Sequence, residues 1–255
     1  MSADRDSPKP AARMPGREPR SKPLPKRFYE AVTVGREAAG GFAILLDGRA
    51  ARTPGKRKLV VAAEPLAEAL AAEWAAQKTE IDPATMELTR LVVTALDGVV
   101  GKEAEVGDDI VAFAGSDLVC YRAEAPEGLV GEQNAAWDPV VAWAKQRLGI
   151  RLKLAAGIVH VAQDEDGLER VRAHVRGFDA LRLTALHVMT TLTGSAMIAL
   201  AHADGLMDAG TAWRMAHIDE DWQIRLWGED AEAAARRERR WQTMQAASRL
   251  LQLAG

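Results

Sequence analysis

Near residue 62 the spacing of apolar side chains changes period, and this constrains the fold more than any other feature of the chain. Before it, short β-rich runs alternate with turn residues. Ala31-Val32-Thr33-Val34 ends in a glycine and charge cluster, and Phe42-Ala43-Ile44-Leu45-Leu46 leads into Asp47-Gly48. Asp-Gly between apolar runs is a hairpin signal, because glycine accepts positive φ. Residues 49–52 then form the returning strand, Thr53-Pro54-Gly55 a second turn, and Leu59-Val60-Val61 a further strand. After it, Leu66, Leu70 and Trp74 repeat at helical spacing in an alanine-rich segment starting near Glu64-Pro65. The expected fold class is α+β, with a small β-rich N-terminal domain (27–84, one helix) followed by a larger, mainly α-helical domain (85–255).

The helical part is read from the same period. Thr85 precedes Leu88, Leu91, Val92, Ala95 and Val99, and a short helix follows over 102–114. Residues 134–148 carry Trp137, Val140, Val141, Ala144 and Leu148 on one side, with Gly149 as the stop. Four more helices are expected over 167–176, 179–203, 208–227 and 230–253. In the last, Trp241, Met244, Ser248 and Leu251 form a narrow packing stripe. Short strands are expected at 116–121 and 158–161, either returning to the small sheet or forming a ribbon of their own.

Residues 1–26 cannot build a core. With Arg27 they hold eight basic side chains against three acids and six of the eleven prolines, with almost no large apolar residue. The expectation is a disordered, solvated tail. It has no apolar core of the secretory type, and its prolines and acids are unlike a transit peptide. The whole chain carries a net charge of −3, 48% hydrophobic residues and 27% charged ones, as soluble globular proteins do. No run reaches the roughly 20 apolar residues of a membrane helix. Thr184 to Ala203 comes nearest, but His187, Gly194, His202 and four hydroxyl residues interrupt it.

Motifs that carry chemistry are missing. Cys120 is the single cysteine, so no internal disulfide or cysteine metal cluster can form, and a reducing, cytoplasmic compartment fits. The five histidines show no H-E-x-x-H and no i, i+4 pairing with one another. His217 with Asp221 is a base–carboxylate pair at i, i+4 spacing, and either that pair or Cys120 with a distant histidine supports the alternative of a hydrolase-like enzyme. Ser195 follows Gly194 but is placed mid-helix, outside any nucleophile elbow. No P-loop or dinucleotide fingerprint is present. No catalytic residue, metal or cofactor is assigned.

Tryptophan stands out. It supplies seven of the thirteen aromatic residues, and Trp213, Trp222, Trp227 and Trp241 fall within 29 positions. Trp213, Trp241 and Trp74 fit core packing. Trp222 and Trp227 differ, since Asp219-Glu220-Asp221 precedes them and Glu229-Asp230 and Glu232 follow. Large apolar rings among acids suit an interaction surface, because tryptophan buries much area and keeps an N–H donor. The acids also suit helix capping, with Asp230 opening the last helix.

Several blocks match a known family in order. They are Phe28-Tyr29, Leu45-Leu46-Asp47-Gly48-Arg49 with Arg52-Thr53-Pro54, Glu73-Trp74-x-x-Gln77, and Ile81-Asp82-Pro83-x-Thr85-Met86-x-Leu88-Thr89-Arg90-Leu91. Then come Ser116-Asp117-Leu118-x-Cys120-Tyr121-Arg122, Gln133-x-x-x-Trp137-Asp138-Pro139, Asp219-Glu220-x-Trp222-Gln223, and Trp227-Gly228-Glu229-Asp230. Over residues 27–253 the chain resembles the ATP synthase assembly chaperones that bind the alpha subunit of the catalytic head, the ATP-twelve family, in its bacterial form. The resemblance implies a non-enzymatic protein that holds the free alpha subunit until it pairs with the beta subunit. Its relatives in eukaryotes act in the mitochondrial matrix, and this chain is expected in the bacterial cytoplasm, with no nucleic-acid or membrane partner. Glu220, Trp222, Trp227, Glu229 and Asp230 are the expected client-binding residues, while Arg90 and Asp97 are expected to set helix and domain contacts.

Overall fold

Val32–Arg36 (β1) and Phe42–Leu46 (β2) pair antiparallel, with Val32 opposite Leu46 and Arg36 opposite Phe42. They belong to a computed structural model that describes residues 23–157 and 159–254, so most of the expected tail, 1–22, lies outside the described residues. At the end of β2, Asp47 (φ 48°) and Gly48 (φ 76°) both take positive φ, as a tight hairpin turn requires. The chain returns as Arg49–Ala50 (β3) and, after the Thr53-Pro54-Gly55 turn, as Val60–Val61 (β4), which pairs with Phe42 and Ala43. Helix α1, Glu64–Ala75, has Pro65 in its first turn and buries Leu66, Ala67 and Leu70 against this sheet.

The sheet unit is bolted to the helices by carboxylates. Glu73 on α1 accepts from Leu88 N (2.9 Å), Thr89 N (2.7 Å) and Thr89 Oγ1 (2.6 Å), capping helix α2, Glu87–Thr94, from outside its own chain segment. One turn on, Gln77 accepts from Asp82 N (2.8 Å) and donates to Thr85 Oγ1 (3.1 Å). Asp97 accepts from Thr53 Oγ1 (2.7 Å) and Gly55 N (2.8 Å), so it ties the second turn of the sheet to the helical part. The expected contact role of Asp97 therefore holds. Arg90 pairs with Glu87 on its own helix (2.7 Å) and stays exposed.

Beyond α2 the chain winds through a π-helical turn, Ala95–Val99, into α3 (Glu103–Gly115) and α4 (Glu127–Trp143), which ends in a second π-helical turn, Ala144–Leu148. Then follow α5 (Glu165–Val175), α6 (Ala180–Thr193), α7 (Ala196–Ala203), α8 (Ala209–Ala216), α9 (Ile218–Trp227) and α10 (Ala231–Leu253). Helix α6 is the hub, packing against α2, α3, α7 and α10. One buried cluster runs from Tyr29 and Ile44 through Leu88, Trp137 and Met189 to Met244 and Leu250.

Three expectations need correction. The helix expected over 179–203 is two helices. Gly194 takes φ +68° and Ser195 is the N-cap of α7, its Oγ accepting from Ile198 N (2.9 Å) while donating to the buried Asp117 (2.5 Å). Ser195 is therefore not mid-helix. The helix expected over 208–227 breaks at His217, whose ring Nδ1 donates to Trp213 O (2.8 Å) while its backbone N–H reaches Arg214 O instead. The strand expected over 116–121 is a 3-10 turn, Leu118–Cys120, started by Asp117 accepting from Val119 N (3.2 Å). Only Tyr121–Arg122 (β5) is extended, and it pairs in parallel with Ala155–Ala156 (β6). This is a separate ribbon, and its second strand precedes the expected 158–161, of which Ile158 lies outside the described residues.

Candidate functional site

Helix α9 holds most of the expected binding residues, and it buries none of its own side chains. It is pinned at its start and along one side. Asp219 accepts from Gln133 Nε2 (2.6 Å), and Gln133 Oε1 in turn accepts from Ala123 N (2.7 Å). Beside that link, the buried Arg122 donates to Val119 O (3.0 Å) and Asn134 Oδ1 (2.8 Å), pairs with Asp138 (3.0 Å), and lies 5.3 Å from the Trp137 ring. Three sequence blocks, 116–122, 133–139 and 219–223, thus meet in one polar node. Gln133 is the residue that attaches α9 to it, and its sequence signal was only its place in a block.

The tryptophans of α9 have different surroundings. Trp222 is half-buried over Gly128 of α4, where an added Cβ would stand 2.7 Å from the indole Cη2. The Arg225 guanidinium lies over its ring at 5.1 Å, and Arg225 pairs with Glu132 (2.7 Å). Trp222 and Gly128 together set how closely α9 lies on α4. Trp227 is 82% exposed and its neighbour Leu226 58% exposed, so the helix ends in two large apolar side chains facing water. Gly228 then stops the helix, Glu229 is exposed, and Asp230 caps α10 by accepting from Ala233 N (2.8 Å). Asp230 therefore does the capping expected of it.

Glu229 also rims a cavity of about 280 Å³ lined by Trp213, Trp241, Ala234 and Arg237. Trp213 and Trp241 pack at 5.6 Å between centroids, so they belong to the core and floor this cavity. Glu220 stands 4.0 Å from His217 Nε2. Burial pushes the His217 imidazole below its ordinary pKa, and the nearby Arg237 and Arg240 add to this against the pull of Glu220. The Trp213 ring covers it at 3.8 Å.

The expected alternative site does not assemble. His217 Nδ1 is spent on the Trp213 carbonyl, and the Asp221 carboxylate is held by Arg237 (2.5 Å), so His217 and Asp221 are not a base–orienter couple. Cys120 is buried, and burial with the neighbouring Asp117 pushes its thiol up to about 12, which keeps it protonated and poorly nucleophilic. Among the described residues, no three His, Cys, Asp or Glu side chains converge as metal ligands, and no helix is long and apolar enough to cross a membrane.

A protein-family model described as "ATP12 chaperone protein" matches residues 26–145. Two crystal structures extend the likeness along the chain. Atp12 of Paracoccus denitrificans is 40% identical, with a TM-score of 0.86, over 91% of this chain and 99% of its own. A chaperone candidate from Agrobacterium tumefaciens is 45% identical with a TM-score of 0.88, over 92% of this chain and 88% of its own. The chain belongs to the ATP12 chaperone family. A point mutant of the Paracoccus Atp12 matches equally well, at 40% identity and a TM-score of 0.86 over 98% of its length. ATP12 membership makes this chain an assembly chaperone, and the resemblance read from the sequence blocks stands.

Proposed function

We propose that this ATP12 protein binds the free alpha subunit of the ATP synthase catalytic head in the bacterial cytoplasm, and holds it soluble until it pairs with the beta subunit. The client surface is the carboxyl end of α9 with the start of α10, where Trp227 and Glu229 touch the client. Trp222, Glu220 and Asp230 set the angle and charge of that end. The observation that carries this reading is Trp227, a large ring 82% exposed beside an exposed Leu226 on a helix with no buried residue. Exposed aromatic anchors ringed by charge are what a protein interface concentrates its energy on. A helix held by a few polar links can also adjust its pose to an incompletely folded client. The role needs no cofactor, metal, nucleic acid or membrane, and no catalytic step.

The test is to mix the purified chain with its own organism's isolated alpha subunit, without nucleotide. Light scattering then follows aggregation, and gel filtration follows complex formation. Suppressed scattering with a defined complex, absent with the beta subunit alone, is the expected result. Aggregation at the unassisted rate with no complex overturns the reading.

A further inference from the structure

The sheet end of the molecule carries an aromatic and basic cleft that the client surface on α9 does not use. Phe28, 73% exposed, meets Tyr29 edge-on at 5.3 Å, and Tyr29 meets Trp74 at 5.8 Å, so three rings stand in a row. The middle ring is fixed, because Tyr29 is buried and its hydroxyl donates to Trp74 O (2.8 Å). Facing the rings across a cleft of about 630 Å³ are the exposed Arg49 and Arg52. Arg52 and Trp74 also line a second cleft of about 480 Å³ that continues past Pro54, Pro83 and Val93 to Arg90.

The charge of this surface is one-sided. Among the described residues, neither Arg49 nor Arg52 pairs with a carboxylate. The one acid lining the first cleft, Asp47, is taken up by the backbone N–H groups of Glu30 (3.1 Å) and Ala31 (2.8 Å). The Trp74 indole N–H is buried and has no acceptor among the described residues. Two guanidinium groups without carboxylates, beside a row of rings, match a ligand that brings a carboxylate and a large apolar group together. Guanidinium forks take carboxylates bidentately, and aromatic walls take the apolar group.

We infer that this continuous cleft is a second docking surface, which takes an extended segment of a partner protein carrying acidic residues next to large apolar ones. Its preference is opposite to that of α9, whose acids favour basic neighbours. The inference rests on the chain acting as a protein-binding chaperone, not on which protein is its client.

The test uses the full chain, labelled with nitrogen-15, and two synthetic peptides. One is acetyl-Glu-Phe-Asp-Leu-Glu-Phe-amide; the other replaces each acid by its amide. The Trp74 indole cross-peak, identified by its loss in Trp74→Phe, reports on the cleft. The acidic peptide is expected to move that peak and to bind at least about tenfold more tightly than its uncharged twin. An Arg49→Gln/Arg52→Gln double variant, changed only at exposed positions, is expected to keep the parent's unfolding midpoint yet lose this preference. Trp227→Ala is expected to bind the peptide unchanged. Equal affinity for both peptides, a preference that survives the double variant, or shifts centred on α9 would overturn the proposal. So would a Trp74 peak that moves on dilution of the free chain or on removal of residues 1–22, since a second copy or the chain's own start would then fill the cleft. A chain that binds the acidic peptide here but no alpha subunit refutes the client reading alone.

Discussion

Trp74 and Trp227 are both tryptophans near the end of a helix, and they live in opposite surroundings. Trp74 closes a helix packed on a sheet, beside Tyr29, in a unit fastened by Glu73, Gln77 and Asp97. Trp227 closes a helix with no buried residue, attached through Gln133–Asp219, Arg225–Glu132 and Arg237–Asp221. The first region is fixed by packing and by side-chain caps, and the second leaves a large apolar side chain in water. The difference follows from burial. Where side chains are removed from water, neighbours set the geometry; α9 has partly buried side chains, Ile218 and Trp222 among them, and a few polar links, so its opening is expected to cost less.

That contrast can be broken first at Glu73. Glu73→Ala removes the acceptor of two α2 amides and one hydroxyl, and is expected to cost about 2–3 kcal/mol in urea unfolding. A loss under about 0.5 kcal/mol would mean that the sheet unit is not fastened as described. Next, Trp227→Ala is expected to leave stability within about 0.5 kcal/mol. Client affinity should fall by about 2 kcal/mol, roughly thirtyfold, by calorimetry with the alpha subunit. A stability loss without an affinity loss would turn Trp227 into a structural residue.

Acid sharpens the comparison. The folded His217 titrates below its ordinary value of 6.5, so its contribution to stability is full above 6.5 and is lost as pH falls through the folded value. Lowering the pH should therefore reduce amide protection factors, with the intrinsic pH dependence of exchange divided out, more over 218–230 than over 42–61, and His217→Gln should remove the difference. Asp117 acts in the other sense. Burial raises its carboxyl to about 6 from 3.8, so its contribution grows as pH falls through 6 and is complete below 3.8. Asp117→Asn should accordingly lose ground to the parent on acidification, measured as the gap between their unfolding free energies. The smallest effect is expected at Glu229→Lys, a rim charge that should slow client association a few-fold at low salt and almost not at all at high salt.

Much of the fold was legible because its signals are local. The Asp47-Gly48 turn, the start of α1 at Glu64-Pro65 and the Asp230 cap each rest on residues within four positions of one another. The helix breaks were not, although Gly194-Ser195 is a stop and a cap in sequence. It sat inside an apolar run, and the partner that fixes Ser195 is Asp117, 78 residues away. His217 hid its break for a similar reason, since a ring bonding to a carbonyl leaves no trace in hydrophobic period. At the candidate site the acidic surroundings marked Trp222 and Trp227 alike, and nothing local told that Trp227 is exposed while Trp222 is half-buried. That Trp222 would pack on Gly128, and that Gln133 would hold Asp219, depended on α4 lying alongside α9.

Hydrogen exchange read by mass spectrometry, on the chain alone and in complex with its alpha subunit, tests the placement of the client most directly. The account predicts strong protection on binding across 218–230 and the first turn of α10, with β2 and α1 unchanged. Protection confined to the sheet unit or to α3 and α5, with 218–230 exchanging as in the free chain, would contradict it.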